Sequence, residues 1–331
     1  MWTTYRRIKA AFEALAVATS HFFKIDSQGD DTDDFLETMI VTESLLECGG
    51  FSVRPLVSAF RRGRRTEIGG KTVWTGNRDA ATQMAKLRAS GDPYYVSRDG
   101  ITDGAAMRML GVACFYPQED EMIYAANAIS ILTHGHPFCH LSAILVALRM
   151  RQLLICQEGN VEEQSFDWLE KSFMRALELL GYSQASPMRT LLGQIRALHY
   201  ETDGGITLEQ IEKHIGFLHA ATSTPLAAVA ASFLSGPLDL PPTPHEIVGA
   251  SNLVSDDIID KHRSLFRSNR VVLQDEARAF APRHDADTFY AILYPMWGLK
   301  APGLLAQHKH NVFERFDKVA EKLEKRWKLQ P

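Results

Sequence analysis

Apolar residues recur at three- and four-residue spacing along nearly the whole chain, and alternating stretches are scarce. That period puts apolar side chains on one face of successive helices and leaves little room for sheet. Over residues 33–47 the pattern falls on Phe35, Leu36, Met39, Ile40, Leu45 and Leu46. Similar stretches run at 80–89, 105–116, 122–132, 141–155, 166–180, 188–199, 208–218, 225–234 and 313–327. Gly49-Gly50, Gly91, Gly135 to Pro137, Gly181 and Gly204-Gly205 punctuate them, as residues that end or interrupt helices do. Residues 71–74 and 94–97 are the two strand candidates. The expected fold class is all-α, a multi-helix domain.

Composition narrows the class further. A 45% hydrophobic chain is too apolar to remain disordered, and 22 Gly with 14 Pro in 331 residues exclude a collagen-like fibre. With 36 Lys+Arg against 40 Asp+Glu, the formal net charge of −4 offers no excess cation to displace phosphate counterions. Nucleic acid is therefore not expected as a partner. The length suits one or two domains. The Pro-rich stretch at 235–244 and the polar segment after it read as an insertion around 236–270 within a single 1–331 domain. Cys48, Cys114, Cys139 and Cys156 form no CxxC pair and sit in apolar or helical stretches, which predicts buried free thiols in a reducing, cytoplasmic setting. The N-terminal 23 residues start basic, but Glu13 interrupts their apolar stretch, so they read as an amphipathic first helix and not a signal peptide. No run of about 18 consecutive apolar residues suggests a membrane span, and the protein is expected to be a monomer.

Two acidic clusters stand at predicted helix starts. Asp30-Asp31-Thr32-Asp33-Asp34 precedes the Phe35 helix, and Asp285-Ala286-Asp287-Thr288 precedes the apolar run at 289–294. Either one alone is accounted for by capping, since Thr is a good N-cap and carboxylates favour the positive end of a helix. Together they hold more carboxylates than capping needs. Carboxylate and hydroxyl oxygens are hard ligands suited to Mg²⁺, Mn²⁺ or Ca²⁺, and two such clusters could converge on a pair of ions able to activate water.

Two small-residue segments lie between the clusters. Residues 99–108 (DGITDGAAMR) form a loop opening a helix, where backbone N–H groups can approach an anion. Thr133-His134-Gly135-His136-Pro137 reads as a turn between helices, with its histidines either at the surface, contacting a ligand or, less readily, holding a metal. The dense basic run Arg61-Arg62-Gly63-Arg64-Arg65 fits a solvated helix end, with docking of a phosphate or an acidic partner as the alternative. Tyr290 and Trp297 are read as core, with stacking on a base as the functional alternative.

In order, these segments resemble the ADP-ribosylglycohydrolase family, which includes dinitrogenase reductase-activating glycohydrolase and the ADP-ribosyl-arginine and ADP-ribosyl-serine hydrolases. Thr32-Asp33-Asp34 matches the first three places of a Ser/Thr-Asp-Asp-Thr motif. Residues 102–108 are similar to Gly-Asn-Gly-Ala-Ala-Met-Arg, residues 133–137 to Thr-His-x-His-Pro, and residues 283–288 to Gly-Gly-Asp-x-Asp-Thr. The resemblance implies a binuclear cleft for two Mg²⁺ or Mn²⁺ ions, with Thr32, Asp33, Asp34, Asp285, Asp287 and Thr288 as ligands. It implies that Thr102, Asp103, Gly104, Ala105, Ala106 and His134 contact ADP-ribose. The implied reaction is removal of ADP-ribose from a modified protein side chain by cleaving the C1″ glycosidic bond, with Asp33, Asp34 or Asp287 as base. Such a bond breaks through an oxocarbenium-like state that needs a positioned water and acid help for the leaving group.

The chain departs from the family at several points. Phe35 stands in place of Thr, Asp103 in place of Asn, and Arg283-His284 in place of Gly-Gly. The early Gly-Asp-Ala-Leu-Gly segment appears as Ala18-Thr19-Ser20-His21-Phe22, and the glutamate that some members carry shortly after it has no counterpart. All four acidic ligands remain, so a retained metal site with altered substrate placement is expected. A degenerate member that binds ADP-ribose or a protein without turnover is the alternative. His284-Asp285 also forms an HD pair, but an HD-type phosphohydrolase needs an earlier His and a later Asp, and only Asp287 and Asp317 follow.

Overall fold

The computed structural model describes residues 3–22, 33–63, 67–68, 71–72, 103–156, 165–182, 192–193, 196, 220–233, 286–300, 302 and 314–328. Their helices are α1 (Thr4–Phe22), α2 (Asp33–Cys48), α3 (Val53–Gly63), α4 (Gly104–Met107), α5 (Met109–Phe115), α6 (Glu119–Ile131), α7 (Pro137–Ile155), α8 (Phe166–Leu179), α9 (Ala220–Ala231), α10 (Ala286–Lys300) and α11 (Glu314–Lys328). A short antiparallel pair, β1 (Glu67–Ile68) and β2 (Lys71–Thr72), sets Glu67 opposite Thr72 and Ile68 opposite Lys71. The fold is all-α. The strand candidate at 71–74 survives only as one arm of this two-residue pair. The expected helices at 80–89 and 208–218, the strand candidate at 94–97 and the insertion around 236–270 lie outside the described residues.

Helix α7 occupies the centre. It touches α1, α4, α5, α6, α8, α9 and α10, and residues on every side of it are buried, from Cys139 and His140 to Leu153 and Leu154. A helix that is apolar all round belongs inside a core, and each buried Leu, Ile or Val there contributes about 1.5–3 kcal/mol. By length and composition α7 could cross a membrane, yet 83% of its 18-residue apolar window is buried inside the fold. Its start is well specified. Pro137 occupies the first turn, where its missing N–H costs nothing, and His136 Nδ1 accepts from Phe138 N at 3.2 Å.

Around α7, α1 lies along α10 and α11, α2 crosses α3 and α5, and α9 bridges α7 and α10. One contiguous apolar core includes residues from all eleven helices. Of the four cysteines, Cys114, Cys139 and Cys156 are buried, but Cys48 is exposed. That corrects the expectation of four buried thiols. The end of α2 turns to solvent at Glu47, Cys48 and Gly49, so periodicity does not bury its last residues.

The C-terminus of α8 bears on the site described next. Gly181 has φ +72°, its N–H donates to Glu178 O at 3.2 Å, and Tyr182 N donates to Leu177 O at 2.9 Å. This pair of bonds is a Schellman stop, which glycine enters without steric cost. It sends Tyr182 back towards α7.

Candidate functional site

The first turns of α2 and α10 meet. Thr288 Oγ1 donates to Asp34 Oδ1 at 3.2 Å across 254 residues of sequence, and the two side chains are only 3% and 2% exposed. Each helix presents its positive end to this contact, a setting that favours a carboxylate. Asp33 and Asp287 lie in the same two turns. Their side chains, together with all of Thr32, Thr102, Asp285, Arg283 and His284, lie outside the described residues.

One turn further along α2, Thr38 Oγ1 lies 2.7 Å from Asp34 O and 3.1 Å from Met107 O. This hydroxyl ties the acidic start of α2 to the end of α4, the helix opened by the 102–106 loop. Asp103 precedes α4 and is buried, 5% exposed, and its carbonyl accepts from Ala106 N at 2.8 Å. Gly104 is half-buried, while the methyl groups of Ala105 and Ala106 are fully enclosed. Their backbone atoms are enclosed with them, so the half-buried Gly104 is the most open of these three residues.

Arg108 joins these parts to the histidine turn. Its guanidinium is fully buried. Nε lies 3.2 Å from Glu37 Oε2 and donates to Gly104 O at 3.0 Å. Nη2 donates to Thr133 Oγ1 at 2.5 Å and lies 3.2 Å from His134 Nδ1. The Phe60 ring stands 5.3 Å from its carbon. Behind the turn, His140 Nε2 is 2.6 Å from His134 O, so it carries the proton and donates, while His140 Nδ1 faces Tyr182 OH at 3.0 Å. Burial first, then the charge of Arg108 and the nearby His140, hold His134 well below the ordinary imidazole pKa. Burial also lowers His140 and pushes the neighbouring Cys139 thiol up to about 12. The two histidines of the turn have different roles. His134 faces the buried arginine, whereas His136 caps α7.

Glu37, Thr38, His140 and Tyr182 are site neighbours that spacing did not single out, and Arg108 was only a motif position. A signal existed for one of them. Glu37 lies opposite the apolar stripe of α2 and is buried all the same, whereas Arg108 is the single charge between Gly104 and Phe115. A lone charge in such a setting predicts a buried partner.

Asp34 and Thr288 supply hard oxygen donors of the kind Mg²⁺ and Mn²⁺ prefer. Among the described residues, no group of three or more His, Cys, Asp or Glu side chains is placed to hold a metal. Phe35, where the family has Thr, turns its ring edge to Phe316 with centroids 6.2 Å apart, so it is a packing residue and not a ligand.

A sequence model of the ADP-ribosylglycohydrolase family matches residues 1–250. No curated protein matches the chain. Among solved structures, an "ADP-ribosylglycohydrolase-related protein complex" is similar, with a TM-score of 0.59 and 18% identity over 98% of this chain and 99% of that one. At that identity the likeness concerns the fold.

Proposed function

The chain belongs to the ADP-ribosylglycohydrolase family, and from that premise we propose that it is a metal-dependent hydrolase that frees ADP-ribose from modified protein side chains. The observation that carries the reading is the contact between Asp34 and Thr288, which joins the two acidic helix starts. Capping alone gives no reason for two such starts to face each other in a buried setting.

The residues to hold two Mg²⁺ or Mn²⁺ ions are Asp34 and Thr288, with Thr32, Asp33, Asp285 and Asp287 beside them in sequence. Bound there, such ions would polarise water and the ribose hydroxyls. The chain's own contribution is placement and proton transfer. Water adds to C1″, the bond from C1″ to the side-chain nitrogen or oxygen breaks, the proton of the water passes to a carboxylate of Asp33, Asp34 or Asp287, and the leaving group takes up a proton. The loop of Thr102, Asp103, Gly104, Ala105 and Ala106, together with His134, is assigned to the ADP-ribosyl group. Buried surroundings strengthen each of these interactions by excluding water. With its free cysteines, the protein is proposed to act in the cytoplasm, as a monomer.

Release of ADP-ribose from arginine- and serine-modified proteins, with Mg²⁺ and with chelator, tests this. Asp34→Asn and Asp285→Asn should each lower metal-dependent release by about 100-fold or more, the first as loss of a candidate acid–base group and metal ligand, the second as loss of a metal ligand. Unchanged release in both variants overturns the assignment. The Phe35–Phe316 contact favours a second reading, a binding module, because one ligand position of the family is given over to packing. ADP-ribose binding with no release from any linkage would establish that reading instead.

A further inference from the structure

We propose that Arg108 is a positioning residue that fixes His134 as the neutral tautomer with its proton on Nε2, so that His134 serves the site as a hydrogen-bond donor and not as a proton-transfer acid. The assignment of a ligand to that donor rests on the ADP-ribose reading; the tautomer does not.

The guanidinium is the group whose role is fixed. A guanidinium has only donors, and Arg108 Nη2 lies 3.2 Å from His134 Nδ1. Thr133 Oγ1 accepts from Nη2 at 2.5 Å and lies 2.8 Å from the same ring nitrogen, within reach of its own hydroxyl proton. The guanidinium donor aimed at Nδ1 calls for a lone pair there, and the Thr133 hydroxyl can add a second donor to it. In a neutral ring the remaining proton is on Nε2. A second proton, on Nδ1, would set N–H against N–H and imidazolium against guanidinium where the two residues are 4% and 0% exposed. Like charges that close in a buried place strongly disfavour it.

The arginine is held from the other side as well. Glu37 and Gly104 O occupy Nε, and the Phe60 ring lies over the carbon. His140 donates to the His134 carbonyl and faces Tyr182 with its other nitrogen, so it brings no acceptor that would draw a proton to the His134 ring. Asp103, the acidic residue that opens α4, acts on Cys139. The depressed pKa of His134 agrees with this arrangement.

An oxygen acceptor suits a neutral N–H: a ribose hydroxyl or a phosphate oxygen of the ADP-ribosyl group. A histidine so held cannot protonate a leaving group near neutral pH, which assigns that task to another side chain.

The test is two-bond ¹H–¹⁵N correlation on the full-length protein labelled at histidine, over about pH 5–8, the range in which an unperturbed imidazole titrates. His134→Gln identifies the signal by its loss. The expected result is protonated Nε2, bare Nδ1 and no titration in that range. A ring protonated on Nδ1, or a midpoint inside the range, overturns the proposal. The paired variant Glu37→Gln/Arg108→Gln removes both buried charges together. If it folds, His134 should gain protonation on Nδ1 as the pH is lowered through that range, and a ring that stays bare at Nδ1 would show that Arg108 does not set it. The readout needs no substrate. A chain that releases no ADP-ribose but holds this tautomer defeats the hydrolase reading alone, and an active hydrolase with a titrating His134 defeats this one alone.

Discussion

Single residues decide how closely the helices that carry the site can approach. A Cβ at Gly111 of α5 would stand 2.1 Å from Thr42 Oγ1 and 3.1 Å from Thr42 Cα on α2. Thr42 Oγ1 is already committed to Thr38 O at 2.7 Å, so it cannot swing away without losing that bond. The same close crossing lets Thr38 reach Met107 O and Glu37 reach Arg108. Gly111→Ala is therefore expected to destabilise the protein by about 1–3 kcal/mol, the cost of overpacking a tight interface. Urea unfolding of parent and variant measures it, and a change below about 0.5 kcal/mol would mean that α2 and α5 separate at little cost. Sequence reading reached Asp34 and Thr288 because helix starts leave local signs: Asp, Thr and the onset of an apolar period. It did not reach the partnership of Glu37 with Arg108, because nothing local tells a buried ion pair where its other half lies. Nor did it foresee Gly111, which sits unremarked inside an apolar helical run.

At the scale of elements, the long periodic stretches were legible and their relative importance was not. The stretch at 141–155 has the same spacing as its neighbours, yet it becomes the central helix α7, extended to Pro137 by its cap. The α1–α11 seam shows what periodicity omits. Lys9 Nζ lies 2.5 Å from Asp317 Oδ1 and 3.8 Å from Glu13 Oε1, and Tyr5 OH donates to Asp317. Burial, helped by Asp317 and opposed by Lys9, raises Glu13 from 4.5 to about 7. A carboxyl with a raised folded pKa favours the fold while protonated. Its contribution is complete below its ordinary value and is lost as pH rises through about 7. After allowance for solvent near the seam, the loss across that window is about 1–2 kcal/mol. Glu13→Gln should therefore flatten the fall in stability over the window and leave the variant more stable than the parent at about pH 8. Melting temperatures measured at intervals across it check this, and parallel curves for the two proteins would refute it.

For the whole molecule, the last two described helices matter most, because the family match ends at residue 250 while Thr288 on α10 closes on Asp34. Helix α11 supports that closure. Phe316 is fully buried, stacks on Phe12 of α1 with centroids 6.1 Å apart and meets the edge of Phe35, the residue after Asp34. At the other end of α11, Trp327 Nε1 donates to Cys114 O at 2.7 Å. The C-terminal helix thus braces α1, α2 and α5 at once, and the aromatic that replaced a family Thr gains a packing partner in exchange for an oxygen. Phe316→Ala should cost about 3–5 kcal/mol, the usual result of emptying a buried phenylalanine site. Paired with Phe35→Ala in a double-mutant cycle, it should show about 0.5–1.5 kcal/mol of coupling from the ring contact. Denaturant midpoints of the four proteins give both values. Additive losses would mean that Phe35 is held by α2 alone, and that the start of α2 owes nothing to the C-terminal helix.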